Sequence, residues 1–513
     1  MSSSEDRPFP PGDYPVVVVG TGPGGLQTSY CLRRFGIRHA LISADSAPGG
    51  MFRRWPFFQR LLSWTKPYAP AVRRSRAYER YDWNSLIPDL DEHRAIVPEF
   101  MDGSSYFPSR PEMEQGLVAF AERTGIVARY GCRWTGTRRE SGPAGDRFVV
   151  ETTDGEYRAE IAIFAVGVAE PWRPSTPGLE LAAHYADTRP VETYADRRVF
   201  IVGKQNSGFE LATGMLPWAR QIIVVSPSPA KLSVNTHSLV GIRARYVQPY
   251  EDHVLGGGVA ILDASIESVE RTGHGFRVRT RPTAGGSDRL FDVDEVIAAT
   301  GFVAPLLDLP ALGVATFGQS RLPAQTPFWE SATVPGIHFA GTIGQGSAGL
   351  KKHGIPSNSG AVQGARYNAR TLVERLATVR FGIEPQRPSI APGDLLPFLL
   401  GELTRGPEVW HQRSYLCRVV GVDGDRGITD DGIVPLAHFL DAGGGDAIAV
   451  TLESDGTGAV YPALYLRLDG RTEEHLLEPH PLLDYEGREY RKALAAILGR
   501  LVPSYKSVYS QAS

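Results

Sequence analysis

The sequence predicts an α/β protein built from two nested Rossmann-like dinucleotide-binding domains followed by a C-terminal α+β appendix. Three observations predict it: two strand, glycine-turn, helix, strand units at residues 15–42 and 198–225; two look-alike strands ending in a small residue and a glycine at 161–167 and 295–301; and a change of texture after Pro385.

The first unit opens on Pro15-Val16-Val17-Val18-Val19, a β-branched run too short for a buried helix, which ends at Gly20 as a buried parallel strand does. Gly20, Gly22 and Gly25 follow in the spacing of a dinucleotide-binding turn. Leu26 to Phe35 is helix-like, Gly36 stands where a C-terminal cap belongs, and His39 to Ile42 is the returning strand. The spacing alone says little: 56 glycines in 513 residues give about 0.65 chance matches. Gly344, Gly346 and Gly349 are such a match, but Pro356 then forbids an immediate helix interior. The flanking strand and helix favour the first match over a purely structural glycine-rich turn.

The second unit runs from Arg198 to Val202, turns through Gly203-Lys204-Gln205-Asn206-Ser207-Gly208, continues as a helix to Leu216, and returns as Gln221 to Val225. Gln205 occupies the middle position, where a glycine would let a pyrophosphate approach the backbone. A nucleotide site and an α/β unit that has lost its ligand both fit. The strands 161–167 and 295–301 bracket this unit, as crossovers between nested domains would. Gly336 to Gly341 reads as a last parallel strand, and a helix follows from about Ser359 to Ala377, capped by Ser357 or Asn358, with its positive end toward a ligand. Beyond Pro385 come alternating segments at 414–420 and 459–466 and a closing helix at Glu489 to Leu501. They carry no chemical motif, and a lid, a dimer arm and a partner surface stay equally open.

Composition bounds the function. Apolar residues make 42% and charged residues 22%, the balance of a globular chain. The net charge is −3 with basic residues dispersed, which gives no footprint for nucleic acid and leaves small-molecule work as the default. Cys31, Cys132 and Cys417 are too scattered for a redox pair or a zinc set, so disulfide reduction and zinc chemistry are disfavoured and no metal is expected. The acidic, proline-bearing N-terminus lacks the pattern of a secretory leader, and no apolar run reaches membrane-spanning length; a cytoplasmic protein is expected.

Residues 14 to about 380 resemble the two-dinucleotide-binding-domain flavoprotein monooxygenases, the group of flavin-containing, N-hydroxylating and Baeyer–Villiger enzymes. The resemblance rests on Gly20 to Gly25, the Gly49-Gly50 pair, Phe107-Pro108-Ser109-Arg110, Gly203 to Gly208 and Ala299-Thr300-Gly301-Phe302. It implies an FAD-binding domain in two parts, 1–170 and 301–384, an inserted NAD(P)-binding domain at 171–300, and the appendix at 385–513. FAD pyrophosphate is expected at Gly20, Gly22 and Gly25, its ribose at Ser43 or Asp45, and its ring against Gly49, Gly50, Met51 and Phe52, with Gly301 and Gly341 also lining cofactor. The second turn, Gly203, Lys204, Gln205, Asn206, Ser207 and Gly208, is expected to take NADPH, with NADH as the alternative.

Four departures qualify the resemblance. Gln205 is one. The family's phosphate-gripping arginine corresponds to Val225, for which Ser226, Ser228, Lys231 and Lys204 offer a serine–lysine substitute or simply a solvated loop. The Baeyer–Villiger signature is partly met, with Thr176 in place of phenylalanine, then Gly178, His184 and Thr188. The family's flavin-side asparagine falls within Ser63-Trp64-Thr65-Lys66, which holds no amide, although Lys66 matches the family's lysine. Trp64 either packs on the flavin or belongs to the core.

The implied activity is an FAD monooxygenase in which reduced nicotinamide passes hydride to the flavin and one oxygen atom of dioxygen reaches a small organic substrate, at nitrogen or sulfur. Lys66, or His353 as a polar cap, would assist; a surface role for His353 is the alternative. Residues 231–258, with Arg243, Arg245, Tyr246 and Tyr250, are a candidate substrate loop or a surface excursion. Two other classes stay open: an oxidase or dehydrogenase not reduced by nicotinamide, and a redox-silent FAD-binding module. Substrate identity and oligomeric state, homo-oligomer included, are not legible.

Overall fold

The computed structural model describes residues 7–54, 60–142, 145–233, 241–248, 258–347, 349, 357–423 and 427–502. They fall into two compact units. One holds the described residues of Met1–Gly50, Ser63–Gly167 and Leu306–Ser513; the other holds those of Met51–Leu62 and Val168–Pro305.

The first unit is organised on a six-stranded sheet. β1 (Gly12–Val19), β2 (His39–Ile42), β3 (Trp134–Gly142), β4 (Gly145–Thr152) and β5 (Gly155–Phe164) lie in the order β2-β1-β5-β4-β3. β1 is parallel to both neighbours, with Val16 beside His39 on one side and Ile161 on the other. Its inner valines and their partners Ile161 to Phe164 are all buried, as the continuous apolar runs require of a strand covered on both faces. α1 (Pro23–Arg34) connects β1 to β2.

The far edge of β5 is shared. β4 pairs antiparallel along its first half, and a short later strand, Ile337–Phe339, pairs parallel along Ala162–Phe164, where the sequence placed a last parallel strand. The Phe107 to Arg110 motif has a local explanation. Ser109 caps α2 (Arg110–Arg123), accepting from the Glu112 N–H, while the Glu112 carboxylate accepts the Ser109 N–H at 2.6 Å.

The second unit carries a seven-stranded sheet. It comprises β6 (Ala183–His184), β7 (Arg198–Val202), β8 (Gln221–Ser226), β9 (Val259–Thr272), β10 (Gly275–Pro282), β11 (Arg289–Val293) and β12 (Glu295–Ala298), ordered β11-β10-β9-β8-β7-β12-β6. β9 serves two neighbours: its first residues pair parallel with β8, and its later half turns antiparallel against β10. α3 (Asn206–Met215) links β7 to β8. In both sheets the chain reverses direction of growth beside the first strand of the unit, between β1 and β5 and between β7 and β12, which is where open parallel sheets take ligands.

The helix expected from Ser359 begins later. A turn of 3₁₀ helix covers Asn358–Gly360, and α4 runs Val362–Phe381 with Ala361 at its N-cap and Gly382, at φ 64°, closing it. Ser357 and Asn358 do not cap α4, because the side chains around them are bonded elsewhere: Asn358 donates to the His411 carbonyl at 2.6 Å, and Ser359 accepts from Asn368 and Gln412.

After α4, the C-terminal residues add α5 (Leu395–Arg405), α6 (Pro407–His411) and an antiparallel sheet of Leu416–Asp423, Gly427–Pro435, Ala447–Ser454, Val460–Leu468 and Arg471–Leu476. Alternation decides its two faces. Val450, Leu452, Leu464 and Leu466 pack against α5 and the last helix, α7 (Arg488–Leu501), while Ala449, Ala463 and Tyr465 pack on Leu436 and Phe439 opposite. Among the described residues no helix is long and apolar enough to cross a membrane.

Candidate functional site

The two glycine turns repeat one construction, each within its own unit. Gly20 leaves β1 at φ 108°, and a Cβ there would lie 2.6 Å from the Ala165 carbonyl oxygen; Gly203 leaves β7 at φ 120°, and a Cβ would lie 2.3 Å from that of Ala299. Gly25 and Gly208 press on the carbonyls of Gly20 and Gly203, with a Cβ placed at 1.8 and 2.1 Å. These four positions are glycine because the turn and the helix-to-strand approach admit nothing larger.

Gly22 differs. Its backbone, φ −71° and ψ −178°, suits any residue, and a Cβ would meet only the Gly50 Cα at 3.9 Å. Neither strain nor packing explains its missing side chain. The room it leaves at the N-cap of α1 is what a phosphate reaching the backbone N–H groups needs. In the second unit Gln205 fills the same position, exposed, with no capping hydrogen bond to α3.

Further glycines close around the first turn. Gly24, which the spacing of the fingerprint passes over, brings its backbone so near Gly341 that a Cβ would lie 2.4 Å from the Gly341 Cα. Gly50, at φ 58°, would place a Cβ 2.9 Å from the Gly22 Cα, and the Gly49 N–H donates to the Thr21 carbonyl at 3.0 Å. Thr21 Oγ1 donates to Ser43 Oγ at 2.9 Å, and Ser43 in turn lies 3.4 Å from an Asp45 carboxylate oxygen. Gly20, Gly22, Gly25, Ser43, Asp45, Gly49, Gly50 and Gly341 therefore surround one helix start. Met51 and Phe52 open the short helix Met51–Arg54 and belong to the other unit.

Around the second turn several expected ligand groups are engaged by the protein. Lys204 is buried and paired with Asp263, which lies opposite Ser226 in the β9–β8 register. Asn206 uses both ends of its amide, donating to the Gly241 carbonyl at 2.8 Å and accepting the Arg243 N–H at 3.0 Å. Ser207 is half-buried in the first turn of α3. Ser226 donates to the Ser228 carbonyl at 3.3 Å, and Lys231 is exposed. Gly301, at φ 92°, has open space where a Cβ would go, and its carbonyl accepts from His184 Nε2 at 3.1 Å. Gly178 is fixed by packing, a Cβ there falling 1.6 Å from the Val269 carbonyl oxygen.

Arg245 of the candidate substrate loop donates to the carbonyls of Arg60 and Leu61, at 2.6 and 3.0 Å. Beside it Glu210 is buried and accepts from Tyr185 at 2.7 Å and Tyr246 at 3.4 Å. Burial pushes its carboxyl up to about 7 against the opposing pull of those hydroxyls and the Arg245 charge.

Trp64 lies 4.6 Å from Trp83 with the rings tilted by 35°, and the Trp83 ring lies 5.9 Å from both Trp410 and His411, an aromatic cluster of the first unit. Lys66 is exposed. His353 and Tyr250 lie outside the described residues. The amide missing from 63–66 arrives from further along the chain: buried Asn84 donates to Thr65 Oγ1 at 3.0 Å and to the Ser63 carbonyl at 3.3 Å.

The three cysteines sit apart in structure as in sequence. Cys31 is on α1, Cys132 precedes β3, and Cys417 is in the C-terminal sheet; all are buried and free. Burial holds every thiol up, that of Cys31 to about 11, so none supplies the thiolate that disulfide exchange needs. Among the described residues no group of metal-ligating side chains converges.

Over residues 17–341 the chain matches the family described as pyridine nucleotide-disulphide oxidoreductase. It is 31% identical over 240 residues to FAD-dependent oxidoreductase domain-containing protein 2 of Mus musculus, covering 46% of this chain and 35% of that protein. The matched region thus spans about a third of the length of the first curated relatives. Two solved structures share the fold. The bacillithiol disulfide reductase Bdr (YpdA) from Bacillus cereus is 20% identical, with a TM-score of 0.55 covering 72% of this chain and 99% of that one. The flavin-containing monooxygenase from Stenotrophomonas maltophilia is 22% identical, with a TM-score of 0.53 covering 71% and 98%.

Proposed function

Because the chain belongs to the pyridine nucleotide-disulphide oxidoreductase family, we propose that it is an FAD-dependent monooxygenase that spends NADPH, or NADH in its place, to put one atom of dioxygen on the nitrogen or sulfur of a small organic substrate. The other atom leaves as water, carrying the nicotinamide hydride and a proton. The observation that carries this reading is a doubled strand–glycine turn–helix construction in a chain whose three cysteines are free, buried and separate. The family's name allows disulfide chemistry, but three separate, buried, protonated thiols do not.

FAD belongs at the first cradle, in residues 1–170 and 301–384, and the nicotinamide at the second, in residues 171–300. When bound, FAD supplies the redox and oxygen chemistry. The chain's own work is positional. Gly20, Gly22 and Gly25 bring the N–H groups of α1 to the pyrophosphate, and Ser43 with Asp45 receives the ribose. At the second turn the phosphate must share the N-terminus of α3 with the Gln205 side chain, and the charge of Lys204 is offset by Asp263. Weak nicotinamide binding follows.

Anaerobic mixing with NADPH and then NADH tests the reading. The flavin should bleach with at least one of them and recover its colour in air, with one oxygen consumed per nicotinamide and little hydrogen peroxide released once substrate is present. Bleaching by substrate alone would instead favour the oxidase, which Gln205 and Val225 motivate.

A further inference from the structure

Three parallel strands of the second unit end together at its glycine turn. Val202, Val225 and Leu262 lie side by side in β7, β8 and β9, so the residues that follow them, Gly203, Ser226 and Asp263, form the rim of the sheet. The Gly203 N–H donates to the Val225 carbonyl at 2.8 Å. Thr283 ties the other two strand ends together, its N–H donating to the Asp263 carbonyl at 2.9 Å and its hydroxyl to the Pro227 carbonyl at 2.9 Å. A dinucleotide whose pyrophosphate sits on such a turn lays its adenosine ribose along this rim.

The charges on the rim do not suit a phosphate. Lys204, the cation of the turn itself, has a side chain only 1% exposed and is engaged by Asp263 Oδ1. The Asp263 side chain is 48% exposed, and its other carboxylate oxygen, Oδ2, has no partner among the described residues. Val225 brings no charge, and the Ser226 hydroxyl is turned to the Ser228 carbonyl. What the rim presents is therefore a carboxylate oxygen anchored by a buried lysine. Such a group accepts from hydroxyls and repels a second anion.

We propose that Asp263, fixed by Lys204, selects a nicotinamide dinucleotide whose adenosine ribose carries a free 2′-hydroxyl, NADH, and rejects the 2′-phosphate of NADPH. The carboxylate accepts the hydroxyl. A phosphate in its place meets like charge, and Lys204 cannot serve it without leaving Asp263 buried against no cation. This rests on the reading of the second turn as the nicotinamide site and adds the residue that chooses which nicotinamide enters.

Calorimetric titration of NAD⁺ and NADP⁺, the unreactive oxidised forms, into the FAD-loaded protein tests the choice without turnover. Wild type should bind NAD⁺ about tenfold or more tightly than NADP⁺, and Asp263→Asn, which frees the Lys204 charge, should bring that ratio to about one or reverse it. If the single variant does not fold because its lysine is buried unpaired, the double variant Lys204→Met with Asp263→Asn removes both charges and should likewise bind the two nucleotides alike. A wild type that binds NADP⁺ as tightly as NAD⁺ overturns the proposal and assigns the phosphate to exposed Lys231. A preference for NAD⁺ that survives undiminished in either variant overturns it too. A wild type that binds neither nucleotide removes the nicotinamide reading of the second turn and this one with it.

Discussion

Gly22 and Gly25 stand three residues apart and are glycine for different reasons. A Cβ on Gly25 collides with backbone, so Gly25→Ala should cost about 3 kcal/mol or more in a urea melt. Gly22→Ala makes only an ordinary contact with Gly50, at 3.9 Å, and should melt within about 0.5 kcal/mol of wild type while FAD affinity falls on the order of a hundredfold. Equal effects on melting and binding would show the space at Gly22 to be structural. Glu210 gives a second prediction at this scale. Its folded pKa, about 7, lies above the ordinary glutamate value of 4.5, so between those two pH values the folded state holds a proton that the unfolded chain has released. The stability this confers is complete below about pH 4.5 and is lost as pH rises through about 7, up to a sum on the order of 3 kcal/mol. Glu210→Gln, which keeps an acceptor for Tyr185, should therefore flatten the fall in urea stability between about pH 5 and 8.

Among elements of the first unit, α5 and α6 are fastened to the 63–167 segment by charge. Arg76 donates to Glu402 at 2.7 and 2.8 Å and to Glu408 at 2.6 Å, and Arg418, itself bound to Asp430, lies 3.9 Å from Glu402. Removing the shared cation strands two buried carboxylates, and Arg76→Ala should lower stability by about 3–5 kcal/mol in a denaturant melt. How much of this was legible in the sequence depends on contact range. Strands β1, β2, β7 and β8 and their turns could be read because β-branched runs and glycines act within a few residues. The start of α4 could not: Asn358 and Ser359 are good caps by type, but Gln412 and His411, some fifty residues on, claim them. Gly24 and Asn84 were missed for the same reason, since each takes its meaning from a partner that no local spacing encodes. Lys204 is expected from the sequence as a phosphate-binding cation, and only the structure reveals Asp263 against it.

For the whole molecule the question is what residues 385–513 do. They bond to the rest of the first unit through Arg76, through the Arg80 guanidinium on the Thr404 carbonyl at 2.5 Å, and through Gln412 on the 358–368 segment. A chain ending at residue 384 should accordingly lose flavin and its cooperative melt, rather than persist as a smaller active enzyme; a soluble, yellow 1–384 fragment with wild-type melting would refute this.

The backbone contact between Gly24 and Gly341 bears on how the chain is made. Its two halves emerge from the ribosome far apart in time, and β5 must also be delivered before β1 has its second neighbour. The nascent first domain waits, half-built, while the entire second sheet is synthesised and free to fold. Cofactor capture is thus a late event of biosynthesis, and an interrupted or slowly translated message would leave its apolar strands exposed to chaperones for the duration.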